Sequence, residues 1–215
     1  MNIALIGATG FVGTALLEEL SRRGHAVTAL STRPERVPAL PGVTARAADA
    51  YDAAQVAQAV AGHDAVISAF NPGWDKAEIR TLFLKGHDAI VAGVKAAGVA
   101  RFLEVGGAGS LYVAPGVQLI DTEGFPAEYK EGAEGARQAL AQLRGESALD
   151  WVFLSPPPLL QPGERTGRYV LGGEDVPMVN GQPGQISVRD LAVAIADEIE
   201  QPRHHRQRFT VYQGA

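Results

Sequence analysis

The chain has 215 residues, 46% of them apolar and 20% charged, which is ordinary globular usage and enough length to bury a sizeable core in one domain. A formal charge of −5 argues against a general affinity for nucleic acid or anionic membrane. The absence of cysteine excludes disulfides, thiolate metal sites and cysteine nucleophiles.

Strand-like and helix-like segments alternate from the start. Ile3 to Ile6 is a short continuous apolar run, the form of a strand covered on both faces. It stops at Gly7 and lacks the basic flank of a signal peptide. No window reaches the ~18 uninterrupted apolar residues of a membrane span, so a cytoplasmic protein is expected. From Phe11 the period changes. Val12, Leu16, Leu17 and Leu20 fall on one helical face, while Glu18, Glu19, Arg22 and Arg23 are expected to face water. The spacing pairs Glu18 with Arg22 and Glu19 with Arg23, and Gly24 ends the helix.

Strands are predicted at about Ala26 to Ser31 and Val43 to Arg46, then a weak helix at Ala53 to Ala61 and a strand at Ala65 to Ala69. A long helix follows from about Lys76 to Ala97, with Ile79, Leu82, Ile90 and Val94 as core positions and His87 exposed or half-buried. Arg101 to Val105 is a strand, Ala127 to Arg144 a helix and Trp151 to Leu154 a strand. Ser187 with Asp190 three residues on predicts a capping box; Leu191, Ile195 and Ile199 form the apolar stripe behind it, and Pro202 ends that helix. Arg203 to Arg208 reads as a solvated connection, in which adjacent His204 and His205 point in different directions and form no metal pair. Arg208 to Tyr212 is the last strand. The alternation predicts a doubly wound parallel sheet with helices on both faces. Two Gly- and Pro-rich stretches, 106–126 and 156–185, interrupt it. Both follow strands, so they emerge at the carboxyl edge of the sheet, where ligands bind in this architecture.

Between the first strand and first helix lies Gly7-Ala8-Thr9-Gly10-Phe11-Val12-Gly13. A strand feeding a helix through glycines is an anion site, because the first helical N–H groups are unpaired and the helix dipole favours negative charge. Gly7 permits the turn, Gly10 lets the backbone approach a pyrophosphate, and Gly13 lets helix and strand pack closely. The alternative is a merely structural turn. No Lys-Ser or Lys-Thr follows, which excludes a P-loop hydrolase. About twenty residues beyond such a loop an acid selects NAD and a basic residue NADP. Here Thr32 and Arg33 stand at the strand tip and offer a hydroxyl and a guanidinium to a 2′-phosphate, so NADP is favoured and NAD is the alternative.

The loop resembles that of atypical short-chain dehydrogenases, in the NmrA-like and NADH-flavin-reductase-like branch. The resemblance continues through Gly62 to Ala69, Gly106 to Leu111, Leu149 to Pro156 and Ile186 to Ala192, and so covers nearly the whole chain. It implies a Rossmann-type domain in which Gly7, Thr9, Gly10, Phe11, Val12 and Gly13 hold the pyrophosphate. Asp49 and Ala50 would meet the adenine, and Ala69 and Phe70 would lie along the ribose and nicotinamide. Gly106 to Ser110 and Ser155 to Pro157, Pro156 among them, would border the nicotinamide pocket.

The chain departs from the family at Thr32 and Arg33, where Arg and Asn are frequent. It also lacks the Tyr-x-x-x-Lys pair, in which lysine lowers the proton affinity of the tyrosine. Tyr129 is followed four positions on by Ala133, and Lys130 is adjacent, about 100° away on a helix. Ser110, Tyr129 and Lys130 are the candidate catalytic residues. Ser110 is a hydrogen-bond donor to a carbonyl or a turn serine; Tyr129 and Lys130 are a rearranged proton donor or an ordinary helix start. Ala108 two before Ser110 breaks the G-x-S-x-G pattern of a hydrolase. Trp74, Tyr112 and Phe125 either stack on a planar ring or pin loops. The leading expectation is an NAD(P)H-dependent reductase of a flavin, quinone or similar planar acceptor. The alternative is a dinucleotide-binding redox sensor without turnover. The oligomeric state is left open.

Overall fold

Strand β1 (Asn2–Ile6) lies inside the sheet because both its faces are apolar: Ile3 and Leu5 enter one core, Ala4 and Ile6 the other. The structure is a computed structural model and describes residues 1–214. On one side of β1 run β2 (Ala26–Ser31) and β3 (Val43–Ala47). On the other side run β4 (Ala65–Ser68), β5 (Arg101–Val105), β6 (Asp150–Ser155) and, beyond them, β8 (Gln207–Tyr212) with β7 (Val170–Gly172) at the edge. The order is β3-β2-β1-β4-β5-β6-β8-β7. Every pairing is parallel except that of β7 with β8. This is the Rossmann-like α/β arrangement expected. The edge strand β7 was hidden because it lies inside a Gly- and Pro-rich stretch.

Helices α1 (Phe11–Arg22) and α5 (Val188–Glu200) pack together over one face. Leu16, Leu17, Leu20, Leu191, Ile195 and Ile199 are all buried there against Leu103, Val152 and Phe209. Helices α2 (Ala53–Val60), α3 (Ile79–Ala96) and α4 (Ala127–Arg144) cover the other face, around Phe83, Ile90, Phe102, Leu140, Trp151 and Phe153. The chain winds outward from β1 to β3 and then returns to β4 on the opposite side. The connections leaving β1 and β4 therefore diverge and open a crevice at the carboxyl edge.

Several side chains depart from expectation. Glu19 is buried rather than solvated. Its carboxylate accepts from Arg23 Nε at 2.8 Å and from Arg165 Nε and Nη2 at 2.8 and 3.0 Å, and it also takes Arg22, so the Glu18–Arg22 pair does not form. The capping box is half present. Asp190 N donates to Ser187 Oγ at 3.0 Å, but the Asp190 carboxylate turns away and accepts from Thr166 N, Thr166 Oγ1 and Gly167 N, each at 2.8 Å. Helix α3 begins at Ile79, after turns closed by Lys76 N to Gly73 O and Ile79 N to Lys76 O. At the other end of the charged connection, His204 stacks on Phe209 and binds Glu198 at 2.8 Å, and Arg208 is fully buried.

His87 is also buried. Its Nδ1 lies 2.8 and 3.0 Å from the two oxygens of Glu104 on β5. Burial pushes the imidazole toward neutrality, yet the charge and hydrogen bond of Glu104 outweigh it and hold the group above its usual range. A raised folded-state value makes the stabilisation complete below the unfolded imidazole value of about 6.5 and removes it as pH rises through the folded value. Urea unfolding should therefore show His87→Gln losing more stability, relative to wild type, at pH 6 than at pH 9. An equal loss at both would mean that the pair carries no charge.

Candidate cofactor and acceptor site

The turn after β1 is built from backbone pressed on backbone. Gly7 has φ +79°, and a Cβ there would lie 2.5 Å from the Ala69 carbonyl oxygen; a Cβ on Gly13 would overlap the Gly7 carbonyl oxygen. Gly10 differs, since its nearest neighbour would be Gly7 O at 3.4 Å. Gly10 is the N-cap of α1, no side chain caps the helix, and its first turn carries no acid. Gly10 N is taken by Gly7 O at 3.1 Å and the first helical bond runs from Thr14 N to Gly10 O at 2.9 Å, so the N–H groups of Phe11, Val12 and Gly13 are the ones left for a ligand. Thr9, Gly10 and Phe11 are exposed around them. A cradle that excludes side chains, presents unpaired donors and has no nearby carboxylate fits a pyrophosphate.

Thr32 and Arg33 extend from the carboxyl end of β2, both exposed. The Arg33 amide donates to Ser31 Oγ at 3.1 Å, and among the described residues its guanidinium has no ion-pair partner. Asp49 and Ala50 are half-buried beyond β3, where Asp49 Oδ1 accepts from Tyr51 N at 2.9 Å. Ala69 N donates to Ile6 O at 2.9 Å, which ties the end of β4 to the end of β1. The ring of Phe70 turns inward, edge-to-face with Tyr51 at 5.5 Å and against Gly86, whose missing Cβ makes room for it. The structure thus brings the glycine loop, Ala69 and Phe70 into direct contact.

On the other side of the crevice, Gly106 N donates to Leu154 O at 2.9 Å, and Phe153 occupies the space where a Gly106 Cβ would project. Pro156 is buried just past β6. Ser110 is only 2% exposed, and its Oγ accepts from Arg208 Nη1 at 3.2 Å. In this arrangement the serine faces the interior and is not presented to the crevice. Tyr129 and Lys130 stand exposed on the first turn of α4. The Tyr129 ring meets Trp74 edge-to-face at 5.3 Å, and Trp74 rests over Gly132, where a Cβ would come within 2.5 Å. Trp74 and Tyr129 are 57% and 48% exposed, whereas Tyr112 and Phe125 are half-buried. A 220 Å³ hollow lined by Glu19, Arg22 and Arg165, and a 430 Å³ groove between α3 and α4, lie outside this crevice. The crevice itself is an open cleft framed by backbone.

The chain belongs to the NAD(P)H-binding family, whose model matches residues 7–202 and so spans this crevice. It is 37% identical to the uncharacterised protein YwnB of Bacillus subtilis over 98% of both chains. Among solved structures, a Burkholderia pseudomallei protein proposed to be exported is 46% identical, with TM-score 0.89 and 99% of each chain covered. A Bacteroides thetaiotaomicron protein proposed to be an epimerase is 42% identical, with TM-score 0.91, covering 100% of this chain and 97% of that one. A Streptococcus pneumoniae protein proposed to be an NADH-flavin reductase is 34% identical, with TM-score 0.87 and 99% of each chain covered. Among the described residues, no helix is long and apolar enough to cross a membrane.

The space at Gly10 yields a clean test. Gly10→Asp should leave the melting temperature near wild type while lowering affinity for NADPH and NADH about a hundredfold or more, since like charges brought together cost several kcal/mol. Calorimetric titration checks this, and undiminished binding would place the dinucleotide elsewhere.

Proposed function

We propose that the protein is an NAD(P)H-dependent reductase that delivers hydride to a planar acceptor, a flavin or a quinone, with NADPH as the preferred donor. The observation that carries the reading is the uncapped, acid-free start of α1 at the mouth of the crevice. The nicotinamide supplies a hydride when bound. The acceptor takes up that hydride and one proton, leaving the oxidised dinucleotide.

The chain's own part is holding and aligning. Gly7 to Gly13 bind the pyrophosphate through backbone donors, and Asp49 and Ala50 border the adenine. Ala69, Phe70, Gly106 and Pro156 would hold the nicotinamide end of the dinucleotide. The exposed Trp74–Tyr129 pair offers an aromatic wall to the acceptor, and a ring stacked there needs alignment more than acid–base help. That division accommodates the absence of Tyr-x-x-x-Lys. Among the described residues neither the Tyr129 hydroxyl nor the Lys130 ammonium is engaged, which leaves Tyr129 or water as the proton source. The reductase proposed for the Streptococcus pneumoniae relative points to the same chemistry. A redox sensor is the competing reading, favoured by the missing pair.

Two variants separate the parts. Arg33→Ala should weaken NADPH binding about tenfold and leave NADH binding unchanged, as expected for one charge-assisted contact to a 2′-phosphate. Trp74→Ala should raise the KM for FMN or menadione about tenfold, within the range of lost aromatic contacts, while NADPH affinity holds. The deciding assay is oxidation of NADPH and NADH against a panel of flavins and quinones. Turnover of a planar acceptor supports the reductase. Tight binding of both redox forms with no turnover would establish the sensor.

A further inference from the structure

Phe209 and Val211 of β8 enter the core beneath α1 and α5, which places Arg208 and Thr210 on the opposite face of the sheet. There the side chain of Arg208 is wholly buried. Its Nη1 donates to Ser110 Oγ at 3.2 Å and to Ser155 Oγ at 3.5 Å; its Nη2 donates to the Glu174 carbonyl at 3.1 Å and to the Glu174 carboxylate. One guanidinium thus touches the turn after β5, the end of β6 and the excursion beyond β7. The two long carboxyl-edge segments also pair directly, with Tyr112 N to Glu174 O at 2.9 Å and Val176 N to Tyr112 O at 2.8 Å.

We propose that Arg208 is the positioning residue of the acceptor side, locking both carboxyl-edge segments into one arrangement, with Glu174 as the releasable half of the lock. The assignment of this side to an acceptor rests on the reductase reading; the lock does not. Stability alone does not account for an arginine here. Its Nε is buried without a partner, and an apolar side chain of similar size would avoid that cost and the burial of a charge. What it supplies instead is a planar fork with a fixed spread, able to hold serines on one arm and a carboxylate on the other.

The two halves of the lock are unequal. Glu174 is 43% exposed and is shared with Arg144 of α4 at 2.8 Å. Partial burial raises the carboxyl, but the hydrogen bond and charge of Arg208, with Arg144, outweigh it and hold the group below its usual range. If Glu174 swings into water, Arg208 is left buried, permanently charged and, among the described residues, without another carboxylate. Opening therefore costs more than breaking a surface ion pair. The acceptor wall is closed at rest and opens as a unit.

The test uses the full-length protein with and without NADPH. Hydrogen exchange read by mass spectrometry should rise about tenfold or more in Glu174→Gln within both 108–118 and 170–178, with 7–13 unchanged, as for local opening of one cooperative unit. NADPH affinity should stay at the wild-type value, while KM for FMN or menadione rises tenfold to about a hundredfold, the scale of misplacement by an ångström. Arg208→Lys should behave like Glu174→Gln, because an ammonium cannot span both arms; Arg208→Met is a harsher version that Glu174→Gln backs up should it fail to fold. Loosening of one segment alone, of neither, or of the whole chain uniformly overturns the lock. If the wild type turns over no acceptor, the reductase reading falls and the exchange pattern still decides the lock.

Discussion

The close approach of α1 to the turn after β1 is the constraint on which the site depends. Nothing larger than hydrogen fits between Gly13 and the Gly7 carbonyl, nor between Gly7 and the backbone of Ala69. These contacts fix the angle at which α1 leaves the sheet, and with it the direction of its free N–H groups. They also bind the ends of β1 and β4 together where the winding reverses. The glycine-loop side of the crevice is consequently made of main chain.

The other side of the crevice is made differently. It is assembled from two long segments that carry only short strands and turns, and such segments must be held by polar side chains. Charge is placed accordingly at both ends of the sheet. At the amino edge, Arg101 joins Asp150 and Glu198 and fixes β5 and β6 to the end of α5. At the carboxyl edge, Asp190 holds the Thr166–Gly167 turn and Arg208 holds Ser110 and Glu174. The amino-edge cluster holds regular elements and serves the fold. The carboxyl-edge pair holds the long connecting segments.

Periodicity made the parallel core legible, because β1, β5, α1 and α5 announce themselves by runs or stripes that tertiary contacts reinforce. The glycine loop was equally legible, since its meaning lies in backbone geometry that spacing encodes. Charged residues were not. Glu19 sits in the same four-residue pattern as the exposed Glu18, and only the arrival of Arg165 from a distant segment explains its burial. Arg208 ends a run of basic residues that reads as a solvated connection; its burial follows from Phe209 and Val211 setting the phase of β8. Ser110 stands where a substrate serine is expected, yet its partner is 98 positions away, a separation that local reading does not cross. His87 shares the difficulty, with its carboxylate on β5.

The segment between β6 and α5 is anchored by Asp190 near its start and by Arg208 through Glu174, and beyond these lies a short ribbon, Met178–Val179 with Gln182–Pro183. Its turn residues Asn180 and Gly181 both have positive φ, 50° and 77°, the geometry of a tight two-residue hairpin turn whose twist matches its strands. The tip residues are exposed and take part in neither anchor, so chain added there adds only a small closure entropy. The ribbon is thus a place where this scaffold can gain length cheaply: a tag, a reporter or a recognition loop grafted at Asn180-Gly181 would project into solvent while the fold beneath it stays as it is.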